Sequence, residues 1–83
     1  MELKDTVELM NSEDYKDRFK AEYLQTKIRY DKLNKMLVKH EAGTLDFTPS
    51  CPIVNLKKQE IAMRGYLSVL EVRAEIEGID LTN

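Results

Sequence analysis

The chain has 83 residues, a net charge of −2 and 42% hydrophobic residues, which describes one small domain that buries only a modest share of its surface. Its single cysteine, Cys51, excludes an internal disulfide and indicates a reducing compartment, and its single histidine, His40, argues against a metal site. A domain this small without either support is expected to gain stability by oligomerisation.

The N-terminal segment, residues 2–10, is predicted to form a short helix. Leu3, Val7 and Met10 recur at helical spacing over two turns. Acidic residues stand where a signal peptide needs cations, and no stretch approaches the length of a membrane span. We therefore expect a soluble cytoplasmic protein.

A long amphipathic helix is predicted over residues 12–41. Asn11 or Ser12 is the expected N-cap, with acidic residues in the first turn and Gly43 as the C-terminal stop. At about 1.5 Å per residue such a helix is roughly 45 Å long. Its apolar positions include Tyr15, Phe19, Leu24, Ile28, Leu33, Met36 and Leu37.

This helix concentrates positive charge on an acidic protein. Residues 15–40 contain eight lysines and arginines against three acids, a net charge of +5. An acidic protein with cations on one element, interspersed with tyrosines, is better suited to hold a small anion than to coat nucleic acid.

A turn over residues 42–51 and a second helix over residues 52–78 complete the prediction. Leu45 and Phe47 in the turn are expected to pack back onto the helices. The second helix carries two apolar faces, of which an antiparallel hairpin covers only one, so the other should contact another subunit. The first face comprises Ile53, Leu56, Glu60, Met63, Leu67, Leu70 and Ala74, and the second Ile61, Val69, Val72 and Ile76.

The sequence offers little support for a set of catalytic residues. The three glycines are too scattered for a phosphate loop, and Cys51 and His40 lack a third partner. Glu71 and Glu75 lie one helical turn apart, but a solvated face explains them better than paired catalytic carboxylates. The sequence therefore predicts a protein that is not an enzyme and needs no cofactor.

Several residues remain candidates for binding an anion. Arg29 and Lys32 lie one turn apart and could grip phosphate oxygens together, whereas Arg18 has Glu22 as an alternative partner. Tyr15 could stack on a nucleobase or staple the helix start to the N-terminal segment. Arg73, beside the second apolar face, needs either an acid such as Glu75 or a bound anion. A solvated face remains the simpler reading of Lys16, Lys20, Lys27 and Lys39.

The chain also resembles a known family. The run from Asp14 to Leu24 (DYKDRFKAEYL), followed by Lys32-Leu33, Leu56-Lys-Lys-Gln59, Ala62-Met63, Tyr66-Leu67, Leu70-Glu71 and Arg73-Ala74, resembles the small phage anti-CBASS proteins that act as sponges for cyclic oligonucleotides. The resemblance covers most of the chain from Asp14 to Ile79 and rests on helix-hairpin patterns with few polar landmarks.

The resemblance implies an all-α helical hairpin, assembled as a homo-hexamer, that sequesters cyclic dinucleotides such as 3′,3′-cyclic GMP-AMP in the host cell cytoplasm. By position, Tyr15 is similar to the family's stacking residue, Lys32 to its phosphate ligand and Arg73 to the arginine of a separate trinucleotide pocket. Asn34 stands where a small hydroxyl residue is expected. This departure weakens the expectation of trinucleotide binding more than that of dinucleotide binding.

Two other functions compete with the sponge. A helical adaptor or inhibitor would use the second apolar face to bind a host protein. Nucleic-acid binding is disfavoured by the net charge of −2.

Overall fold

A computed structural model describes residues 1–82, which contain helices and no strand. A 3-10 turn, Leu3–Thr6, leads into the one-turn helix α1, Val7–Met10, and the long helices are α2, Tyr15–Ala42, and α3, Ile53–Glu77. The prediction of an all-α hairpin preceded by a short N-terminal helix is confirmed. None of the helices in residues 1–82 combines the length and apolarity required to span a bilayer.

Helix α2 begins at Tyr15, later than the predicted start at residue 12. The Asp14 carboxylate accepts a hydrogen bond from the backbone N–H of Lys16 at 2.9 Å, so Asp14 is the N-cap. Ser12 instead accepts from the backbone N–H of Asp14 at 3.1 Å and donates to the Asp17 carboxylate at 2.8 Å. Gly43, with φ of 76°, ends the helix as predicted.

The core lies where α2 and α3 pack together, toward the end formed by the start of α2 and the end of α3. Its buried side chains on α3 are Leu67, Leu70 and Ala74, all from the predicted first face. The other members of that face are partly buried, so the assignment of this face to the hairpin is confirmed. The remaining buried core residues are Phe19, Tyr23, Leu24 and Ile79.

Three tyrosine–glutamate hydrogen bonds join the two helices in antiparallel order. Tyr15 donates to Glu77 at 2.9 Å, Tyr23 to Glu71 at 2.7 Å and Tyr30 to Glu60 at 3.2 Å. Glu71 is therefore not simply a solvated residue, and Glu60 interrupts the apolar face because it accepts the Tyr30 hydroxyl. These side-chain bonds set the register of the hairpin, that is, which residues of α2 lie opposite which residues of α3.

The N-terminal segment packs on α2 through a different face from the one that the apolar spacing predicts. Thr6 is fully buried, donates to the Leu3 carbonyl at 2.7 Å and accepts from the Gln25 amide at 3.0 Å. Leu9 packs against the core, whereas Val7 and Met10 are 45% and 42% exposed. The spacing was misleading here, because the initial 3-10 turn changes the angular position of every later side chain.

The second apolar face of α3 is uncovered in the single chain. Ile61, Val69, Val72 and Ile76 are between 56% and 78% exposed, and Val54 extends the face toward the helix start at 65%. Gly65 lies in the middle of this face, where an added methyl group would meet no atom within 4 Å.

Candidate functional site

The candidate residues fall into two groups at opposite ends of the hairpin. One group, the Arg73 cluster, comprises Tyr15, Phe19, Arg73 and Glu77. The other, the lysine groove, is an open cavity with a volume of about 290 Å³ between α2 and the loop that follows it. It is lined by Lys32, Lys35, Met36, Lys39, Leu45, Asp46 and Phe47.

In the Arg73 cluster, one guanidinium contacts three other side chains. Arg73 donates from Nη2 to the Tyr15 hydroxyl at 2.8 Å and from Nε to the Glu77 carboxylate at 3.3 Å. Its guanidinium carbon also lies 4.8 Å from the centroid of the Phe19 ring. The acid that pairs with Arg73 is thus Glu77, one turn further on, and not Glu75.

The contacts of Tyr15 are with Phe19 on its own helix and with two residues of α3. Its ring meets the Phe19 ring edge-on at 6.1 Å, and its hydroxyl is held between Arg73 and Glu77. The hydrogen bond to the Glu77 carboxylate raises the pKa of Tyr15 above its usual value, with the Arg73 charge opposing the shift. The side chain is 46% exposed, so part of the ring remains open to solvent.

The lysine groove arises from the way the chain leaves α2. Lys32, Lys35 and Lys39 lie on one face of the helix because they are three and four residues apart. After the left-handed turn at Gly43, the backbone N–H of Thr44 donates to the Lys39 carbonyl at 2.9 Å. This turn sends the chain back along α2 and places Leu45 to Phe47 against the lysines.

The lysines of the groove form no salt bridge within residues 1–82. Over residues 1–82, the ion pairs involve Lys4, Lys27, Arg64 and Arg73 and none of the groove lysines. Asp31, one turn before Lys35 on α2, pairs instead with Lys27 at 3.2 Å. Asp46 is the acidic residue in the lining. Three cations against one carboxylate favour an anionic occupant.

Phe47 remains outside the core, contrary to expectation. Leu45 is partly buried, but Phe47 is 55% exposed and borders the lysine groove. It also borders a larger cavity of about 400 Å³ that extends to His40 and Ile53, and the described residues that line this cavity include no lysine or arginine. Of the two concave surfaces, the lysine groove is the one that combines an exposed aromatic ring with cations.

The other predicted site residues lie outside both groups. Arg18 donates to the Ser12 carbonyl at 2.9 Å, which joins the start of α2 to the preceding linker. Glu22, the alternative partner of Arg18, forms no salt bridge with it in residues 1–82. Arg29 and Asn34 are exposed on α2 and do not line the groove that contains Lys32.

The structure brings together Tyr15 and Arg73, which the sequence assigned to different pockets, and separates Tyr15 from Lys32. These last two residues are seventeen positions apart on one continuous helix, a separation of about 25 Å at about 1.5 Å per residue. Sequence reasoning missed Lys35, Lys39 and Phe47 as groove residues. The spacing of the lysines could have predicted that they share one face of α2. The position of Phe47 could not be predicted in this way, because it depends on the path of the loop.

Comparison with known proteins identifies one similarity. A family model described as Sequestin matches residues 13–76, which include α2, the loop and nearly all of α3. No curated protein and no solved structure matches the chain. The matched range contains the whole lysine groove and most of the Arg73 cluster.

Proposed function

The chain belongs to the Sequestin family, and from this membership and the lysine groove we propose that it binds and sequesters cyclic dinucleotides without cleaving them. The family name is consistent with a protein that sequesters a molecule. The resemblance to phage anti-CBASS sponges supplies the ligand class. Cyclic trinucleotides are a second ligand class of the same proposal, and the Arg73 cluster is their candidate site.

The observation that carries the proposal is the groove of unpaired lysines on an acidic protein. A cyclic dinucleotide presents two phosphodiester anions and two flat bases, so its binding site needs cations and planar apolar surface. Lys32, Lys35 and Lys39 supply the cations, and the exposed aromatic side chains supply the planar apolar surface.

Two features of the geometry support an assembly of more than one copy of the chain. Ligand pockets are typically about 300–1,000 Å³, so the groove of about 290 Å³ is small for a complete dinucleotide. Tyr15 and Lys32 also lie too far apart to contact one such ligand within a single chain. We propose that Tyr15 of one copy approaches Lys32 of another, in a homo-oligomer of six chains.

The exposed second face of α3 supports this assembly. Valine and isoleucine side chains that are more than half exposed recur along one face of α3, and such an apolar face is a typical interaction surface. Sequestration by the oligomer in the host cytoplasm would withhold the signal from nucleotide-activated antiviral effectors. Because sequestration requires affinity alone, no nucleophile or metal is part of the proposal.

Calorimetric titration with 3′,3′-cyclic GMP-AMP tests the proposal, followed by denaturation and chromatography of the bound nucleotide. Tight binding with intact nucleotide recovered is the expected result, and recovery of linear product would identify an enzyme instead. Lys32→Glu should abolish binding by reversing a charge in the groove. Lys57→Glu makes the same change on the exposed surface of α3 and serves as the control.

A second function is favoured by the same apolar face of α3, namely binding to a host protein as an adaptor or inhibitor. If the chain were monomeric in solution and bound neither dinucleotides nor trinucleotides, this alternative would replace the sponge. The two are separated by measuring mass and nucleotide binding on one sample.

A further inference from the structure

The lysine groove contains an aromatic ring whose exposure the fold does not explain. Phe47 is 55% exposed although its neighbour Leu45 is partly buried. Exposed phenylalanine rings are costly, since a buried ring of this size contributes about 1.5–3 kcal/mol. In the hairpin, Phe47 forms no ring stack or cation contact over residues 1–82, where such contacts involve Tyr15, Phe19 and Tyr30.

The groove brings this ring and the cations to one cavity. Phe47 and the three lysines line the same concave surface, which the turn at Gly43 and Thr44 holds against α2. An aromatic face beside several ammonium groups matches one nucleotide unit, in which a flat base is joined to a phosphate. The volume of about 290 Å³ also suits one unit better than two.

We propose that Phe47 is a base-stacking platform and that Lys35 and Lys39 join Lys32 as phosphate ligands, so that each groove holds one nucleotide unit of the ligand. This inference rests on the proposed function and extends it. It assigns contacts to the loop after α2, from which no ligand residue was predicted. It also gives Asp46 a role, because its carboxylate lies in the lining and weakens the attraction of the groove for anions.

The first test measures affinity for 3′,3′-cyclic GMP-AMP by calorimetry on full-length variants. Phe47→Ala should weaken binding about tenfold or more, in line with the value of one stacked base. Lys35→Glu with Lys39→Glu should abolish binding, and Asp46→Asn should strengthen it. Tyr66→Ala removes a comparably exposed ring from α3 and should leave affinity within about twofold, well below the value of a stacked base.

A second test reports on the stacking contact directly. The chain has no tryptophan, so Phe47→Trp introduces a single indole fluorophore that is also planar and aromatic. Its emission should be quenched as the nucleotide is added, and the affinity of this variant should stay near that of the unmodified chain. Tyr66→Trp is the matched control and should show no quenching.

The outcomes separate this inference from the proposed function. If the unmodified chain binds no cyclic nucleotide, both fail. If it binds but Phe47→Ala keeps full affinity, or the tryptophan emission of Phe47→Trp is unchanged at saturation, the inference alone is overturned. Loss of affinity together with a changed oligomer mass in Phe47→Ala would also overturn it, because Phe47 would then be a subunit contact.

Discussion

Arg73 donates a hydrogen bond from its guanidinium to the hydroxyl of Tyr15 at 2.8 Å, across the open end of the hairpin. Both groups also contact Glu77, so one carboxylate, one phenol and one guanidinium form a closed surface network. The network positions the Tyr15 ring while leaving it 46% exposed. A stacking residue needs this combination of fixed orientation and open surface.

Removing the ring and removing only the hydroxyl of Tyr15 should have different effects on ligand binding. Tyr15→Ala deletes the proposed stacking surface and should weaken cyclic dinucleotide binding about tenfold. Tyr15→Phe keeps the ring and should cost little. Calorimetry measures both, and circular dichroism should show an intact fold in each. Equal losses in the two variants would assign the effect to the hydroxyl network instead of stacking.

Alkaline pH should destabilise the hairpin through Tyr23. Burial, followed by the hydrogen bond to the Glu71 carboxylate, raises the pKa of Tyr23 to about 12 from an unfolded value of 10.0. The folded state therefore holds the proton more tightly than the unfolded state, and stability falls as pH rises between these values. The loss is at most about 3 kcal/mol, at 1.36 kcal/mol for each of about two pKa units.

Tyr23→Phe supplies the control for this pH effect, because it removes the titrating group and keeps the ring. The free energy of unfolding, measured by urea titration at pH 9 and at pH 11.5, should fall more in the unmodified chain than in Tyr23→Phe. The two proteins differ only in the Tyr23 hydroxyl, so identical pH dependence would contradict the assignment.

Leu70 should be among the costliest positions to truncate. It is fully buried in the core between α2 and α3, and Leu→Ala changes at such sites cost about 2–5 kcal/mol. Val38→Ala is the control, since Val38 is on α2 and 58% exposed. Urea unfolding should separate the two by at least about 2 kcal/mol. Similar midpoints would show that Leu70 is not a core residue.

Gly65→Ala should have opposite effects on the chain and on the proposed oligomer. An added methyl group meets no atom within 4 Å in the single chain, and alanine favours a helix interior by up to about 1 kcal/mol over glycine. Helix stability should therefore rise. If a second copy packs closely against this face, the same methyl group should weaken association, so that mass measured by light scattering falls.

Val72→Glu provides the second half of that experiment. It places a charge on the exposed face of α3 without touching the core, so the helix content should persist while the oligomer dissociates. Val38→Glu makes the same change outside this face and should leave the mass unaltered. An unchanged mass in Gly65→Ala and in Val72→Glu would exclude this face as the subunit contact.

Sequence patterns were sufficient to predict the two long helices, the end of α2 at Gly43, and the division of α3 into a covered and an uncovered face. Each is a local property, because 3.6-residue periodicity and glycine's tolerance of positive φ act over a few neighbouring residues. The concentration of cations on α2 was equally predictable from the sequence. The start of α2 was less accurate, since Ser12 accepts from the N–H of Asp14, which lies before the helix, and Asp14 caps the helix by accepting from Lys16.

Tertiary structure decided which of those residues share a site. The pairing of Arg73 with Tyr15 and Glu77 depends on the register of the hairpin, which the three tyrosine–glutamate bonds set across residues far apart in the chain. The exposure of Phe47 beside Lys32 depends on the loop returning along α2. Periodicity carries no information about either relationship, because both arise from packing between elements and not from the order of residues within one.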